Sequence, residues 1–120
     1  MKLNLVDSCL EIELTLVEQL LAFKLDKVLQ IPLTEITRVT TSAPETNWKQ
    51  LRAPGTFFPG IIKAGTYYTD RGKEFWYVTK PTNERNYLTL ELNSDAYQRI
   101  VLTIDDNEYW ESTLSQLATV

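Results

Sequence analysis

From Leu10 the chain alternates. Leu10, Ile12, Leu14 and Leu16 fall on one side of an extended segment, and Glu11, Glu13 and Thr15 on the other. A period of two is that of a strand with one face in the core and one in water. Thr15-Leu-Val-Glu18 then has the spacing of a capping box, in which hydroxyl and carboxylate satisfy orphan amides at a helix start. A short helix or bent strand is expected to run to about Lys24. Residues 28–31 read as a strand that stops or kinks at Pro32, which has no amide to donate. Residues 36–41, rich in β-branched side chains, resume it.

No period holds over residues 42–59, where Pro44, Pro54, Gly55 and Pro59 predict a long loop carrying Trp48, Phe57 and Phe58. Strands are expected at 60–69, 74–79, 86–92 and 99–104, the first two joined across Asp70-Arg71-Gly72, a hairpin turn. On the 74–79 strand, Trp76 and Tyr77 take opposite faces, one in the core and the other toward the surface. The period then changes. Asp105 is placed to cap a helix with Glu108 at its third position, and Trp110, Leu114 and Leu117 recur on one face. Many short strands followed by one amphipathic helix imply a mainly β domain, economically a barrel plugged by the helix, whose apolar stripe is buried against it.

The 120 residues have the size of one domain, residues 1–120, and the 43% hydrophobic and 23% charged shares are ordinary for a globular chain. Cys9 is the single cysteine, so no internal disulfide can form, and a reducing, cytoplasmic setting is expected. Asp7, Glu11 and Glu13 interrupt residues 1–14, which therefore do not read as a signal peptide. The net charge of −4 disfavours nucleic acid and makes membrane contact weak or absent. That charge is uneven. Residues 46–85 hold seven bases and three acids, against one base and six acids in residues 86–120.

At this point the chain resembles the bacterial pleckstrin-homology-like domains. The likeness rests on Ile31-Pro-Leu-Thr-Glu-Ile36, Leu51-Arg-Ala-Pro-Gly-Thr-Phe-Phe-Pro-Gly60, Ala64-Gly-Thr66, Phe75-Trp76 and the stretch 88–92 before the terminal helix. The resemblance implies a barrel of two near-orthogonal antiparallel sheets, about seven strands, capped by a C-terminal α-helix, with no enzymatic activity. Eukaryotic relatives hold phosphoinositides with Lys and Arg around the first hairpin loop. Here the corresponding residues 15–27 offer only Lys24 and Lys27 beside Glu18 and Asp26.

The chemistry is read mainly by exclusion. The chain has no histidine, which removes His-based triads and imidazole metal sites, and it has no phosphate-cradling glycine motif. No enzyme, cofactor or metal site is expected. Glu11 and Glu13 read as a wet strand face rather than a catalytic pair, Cys9 as a small packing residue, and Asp105, Asp106 and Glu108 as helix capping. One mixture of aromatics and bases stands out as a candidate binding surface: Trp48, Lys49, Arg52, Phe57 and Phe58, with the nearby Lys63, Arg71 and Lys73. Trp48 and Arg52, four apart, would be its anchors if a turn of helix carried both. The competing structural reading is that the loop aromatics fold back onto the domain. The function expected is a non-catalytic binding or scaffolding module whose partner is a protein or peptide, or a second copy in a homo-oligomer. The alternative is a small-ligand or lipid-headgroup binder using the basic middle segment.

Overall fold

The computed structural model describes residues 1–22, 24, 26–42, 51–58, 62–69, 72–79, 86–94 and 96–118, with backbone alone at 51–58, 69 and 118. The chain opens on a strand, β1 (Lys2–Val6), that turns back as β2 (Cys9–Glu13). Asp7 and Ser8 between them take φ of 49° and 63°. Positive φ at both positions of a two-residue turn is the type I′ geometry, which matches the right-handed twist of its strands. Helix α1 (Leu16–Ala22) follows. The capping box is in place: the Thr15 amide donates to Glu18 Oε1 at 2.8 Å, and the Glu18 amide to Thr15 Oγ1 at 3.2 Å. Leu16 therefore opens the helix, 71% exposed, instead of extending the buried row of β2.

Strand β3 (Val28–Pro32) completes a three-stranded antiparallel sheet of order β1-β2-β3. Past Pro32 a 3-10 turn (Leu33–Glu35) swings the chain out of this sheet and into β4 (Ile36–Thr40) of the next. The second sheet adds β5 (Leu51–Phe58), β6 (Ile62–Thr69), β7 (Gly72–Val78), β8 (Tyr87–Leu92) and β9 (Arg99–Thr103), in the order β4-β8-β9-β7-β6-β5. Every neighbouring pair is antiparallel except β7 and β9, which run parallel with Glu74 opposite Arg99 and Trp76 opposite Val101. Helix α2 (Asn107–Ala118) closes the chain.

Leu10, Ile12, Leu14, Leu29 and Ile31 of the first sheet face Phe75, Leu88, Leu90, Ile100 and Leu102 of the second in one core. Helix α2 packs on β4 and β8, burying Trp110 and Leu114, while α1 lies at the other end of the sheet against β5 and β6. The mainly β class with a capping helix is thus present.

Several expectations are corrected. Among the described residues nine strands form two separate sheets, no strand bridges them, and no closed barrel is seen. The expected all-antiparallel pairing fails at β7–β9, because β8 lies on the far side of β9 from β7. Residues 51–58, assigned to a loop, form β5. Its proline is tolerated because β5 is an edge strand and Pro54 sits in a bulge between Arg52 and Gly55, where no ladder amide is needed. Arg52 is accordingly a strand residue, not one on a helical turn. Helix α2 begins at Asn107, and the Asp106 carbonyl accepts the Trp110 amide, so Asp106 rather than Asp105 stands at its boundary. Leu117 shares the angular face of Trp110 but is 44% exposed, so the last turn of the helix overhangs the apolar surface.

Candidate functional site

Of the residues proposed from the sequence, Trp48, Lys49 and Arg71 lie outside the described residues. The β5–β6 ladder brings two of the others into register, Phe57 across from Lys63, and sets Arg52 across from Tyr67. Phe58 pairs with Ile62. Lys73 does not join them. It alternates with Glu74 on β7 and lies near the Tyr97 ring, 5.3 Å from its centroid, on the core side of the sheet. Lys63 lies on the opposite side, so the two described lysines do not form one basic patch.

Around Lys63 the outer side of the second sheet carries a compact polar and aromatic cluster. Glu74 and Trp76 are two apart on β7 and share a face; one carboxylate oxygen, Glu74 Oε1, accepts both the Trp76 indole N–H at 2.9 Å and the Arg99 guanidinium at 3.0 Å. Tyr67 meets Trp76 edge to face with ring centroids 6.4 Å apart. The Lys63 ammonium lies 3.7 Å from the Trp76 centroid and 4.5 Å from that of Tyr67. Gly65, opposite Trp76 and with φ of 144°, holds a backbone conformation that a side chain would resist. Burial pushes the Lys63 ammonium down to about 8, partly opposed by Glu74 and reinforced by Arg99.

The cluster is sealed rather than presented. Trp76, Tyr67 and Glu74 are 2%, 4% and 4% exposed, which corrects the expectation that either Trp76 or Tyr77 would reach the surface. Such enclosure suits a structural tie that holds β6, β7 and β9 together. Its signal in the sequence was weak, since Glu74 and Arg99 are 25 residues apart and meet only through the parallel pairing.

More accessible are the sheet edges. Among the described residues the two sheets have four edge strands, and an unpaired edge is a template for another strand unless something blunts it. Strand β3 ends in Pro32, β4 is irregular between Ile36 and Arg38, and β5 combines a bulge with Pro54. Strand β1 has none of these devices. It pairs with β2 residue for residue from Lys2↔Glu13 to Val6↔Cys9, and its charge is confined to Lys2. Since Val6 and Cys9 flank a two-residue turn, they exchange hydrogen bonds, and so by alternation do Asn4 and Lys2 with their partners. The backbone groups of Leu3 and Leu5 then face the open edge. Leu5 and Val6 are 40% and 42% exposed. This strand was missing from the sequence reading, because the alternation Lys2-Leu3-Asn4-Leu5 lasts only four residues and breaks at Val6.

The suspected carboxylate pair is held on the outer face of the first sheet. Gln30 donates to Glu11 at 2.9 Å, and the Lys27 ammonium lies 3.8 Å from Glu13. Cys9 is half-buried opposite Pro32. Among the described residues no three acids, cysteines or histidines converge as a metal site, and no helix is long and apolar enough to cross a membrane. Compared with protein-family models, with curated proteins and with solved structures, the chain finds no match in any of the three.

Proposed function

We propose that this domain is a non-catalytic binding module, an opened relative of the pleckstrin-homology-like arrangement, whose partner is a second copy of the same chain joined strand to strand at β1. The observation that carries this reading is that β1 is regular and unblunted while the other three edges carry a proline, a bulge or both. An antiparallel β1–β1 pair centred on Asn4 sets Leu3 of one copy beside Leu5 of the other. It covers the exposed part of Leu5 and satisfies the outward amides and carbonyls of both residues. The same pairing would merge two three-stranded sheets into one of six strands. The absence of histidine supports the non-catalytic part of the reading.

Sedimentation velocity over the micromolar range tests it. The wild-type chain is expected to dimerise, and Leu5→Lys, a charge on a side chain already 40% exposed, to be monomeric with an unchanged circular dichroism spectrum. A wild-type chain that stays monomeric throughout, or a Leu5→Lys variant that still dimerises, refutes the proposal.

A further inference from the structure

On the outer face of β1 one side chain is out of character. Asn4 stands half-buried in the middle of the strand, between Lys2 and Val6, and asparagine is among the residues that strands disfavour. Its neighbour across the ladder is Glu11, whose carboxylate is taken up from the other side by Gln30 at 2.9 Å. The Asn4 amide has no hydrogen-bond partner among the described residues.

The two ends of the strand carry opposite charges. Lys2 at its start and Asp7 just past its end are both exposed, and neither belongs to an ion pair among the described residues. Lys2 faces Glu13 across the ladder, but Glu13 already has the Lys27 ammonium 3.8 Å away. A strand positive at one end and negative at the other is complementary to a copy of itself laid antiparallel, and it repels a copy laid parallel.

The backbone then sets the register. Because Asn4 exchanges its backbone hydrogen bonds with Glu11, it is a non-hydrogen-bonded position on the open edge, where facing residues of an antiparallel pair come closest, their Cα atoms about 4.5 Å apart. An amide carries both donor and acceptor, so two identical amides can bond each other reciprocally. They meet across a twofold axis only when the pair is centred on Asn4. Centring it on Leu3 or Leu5 sets Asn4 against Lys2 or Val6, and the Leu5-centred pair also runs into the turn at Asp7.

We propose that Asn4 selects the register of the β1–β1 dimer, its amide bonding reciprocally with Asn4 of the other copy, while Lys2 of each copy meets Asp7 of the other at the two ends. This role presupposes the β1 self-pairing proposed above and adds the side chains that make it specific. Contacts repeated about one twofold axis close the assembly at two copies instead of extending it as a fibre.

Cysteine cross-linking in a Cys9→Ser background tests the register. Under mild oxidation Asn4→Cys is expected to form an interchain disulfide with its own copy. Lys2→Cys and Val6→Cys, each about 14 Å from its own copy in this register, should not self-link, but a mixture of the two should link to each other. Asn4→Asp and Asn4→Lys place like charges face to face, and each should self-associate about tenfold or more weakly than wild type in sedimentation velocity. An equimolar mixture of these two variants should recover the dimer, which also shows that both are folded. Lys2→Gln should weaken the dimer about two- to tenfold and flatten its salt dependence. If the wild-type chain dimerises but Asn4→Cys does not cross-link, or the Asn4→Asp and Asn4→Lys mixture pairs no better than either variant alone, the role of Asn4 is overturned and the β1 pairing stands. A wild-type chain that stays monomeric overturns both.

Discussion

The two faces of the second sheet are both buried, but by different physics. On the inner face Phe75, Leu88, Leu90, Ile100 and Leu102 are 0% exposed and meet the apolar face of the first sheet. On the outer face Trp76, Val78, Val101 and Tyr67 are nearly as enclosed, yet they surround a carboxylate, Glu74, bound to a guanidinium and an indole. The inner face is stabilised by area removed from water, which is tolerant of geometry. The outer face depends on directed contacts, and a buried charge that loses its partner is left uncompensated. One sheet thus carries a core that resists the loss of area poorly and a second cluster that resists the loss of a single atom poorly.

The largest effect should come from the inner face. Phe75→Ala removes a fully buried ring and is expected to destabilise the domain by ~3–5 kcal/mol in urea denaturation. A loss below ~1 kcal/mol would mean that the two sheets do not pack as described. Next comes Glu74→Gln, which leaves the Arg99 guanidinium without its carboxylate. Because Arg99 is partly exposed, the expected loss is smaller, ~2–3 kcal/mol. Replacing both residues by leucine should recover much of it, and a double variant as unstable as the sum of the single ones would show that the pair is not coupled.

The smallest effect concerns Lys63 and pH. Its pKa falls from 10.5 to about 8 in the folded chain, so below about 8 both folded and unfolded states carry the proton and the burial penalty is present in full. Between about 8 and 10.5 the unfolded chain holds the proton that the folded chain has released, and stability rises with pH. Tyr77, whose pKa is raised from 10.0, acts in the opposite direction once pH exceeds that value. The gain is therefore expected between about 8 and 10. Lys63→Met should flatten that segment of the stability profile, and an unchanged slope would separate Lys63 from the cluster.

Which of these features could be read from the chain depends on the distance over which each is specified. The Thr15–Glu18 box spans four residues, and both of its hydrogen bonds are present. The alternation of Leu10, Ile12 and Leu14 is likewise complete within β2 and the residue that follows it, and all three are 0% exposed. Trp110 and Leu114 lie one helical turn apart and are buried together, as their spacing required. Strand β5 was illegible because Pro54 and Gly55 are loop residues by local preference, and only pairing with β6 turns that segment into an edge strand with a bulge.

The sequence by itself determined the mainly β character, most strand positions, the cap of α1 and the buried face of α2, because these rest on periods and hydrogen bonds between residues at most a few positions apart. Tertiary structure alone decided that the sheets stay open, that β7 and β9 run parallel, and that Glu74 meets Arg99 while Lys63 and Lys73 part to opposite faces. The physical reason is that strand order and register are set by which edges pair across the whole chain. A one-residue change of register exchanges the two faces of a strand, and no local pattern encodes that choice.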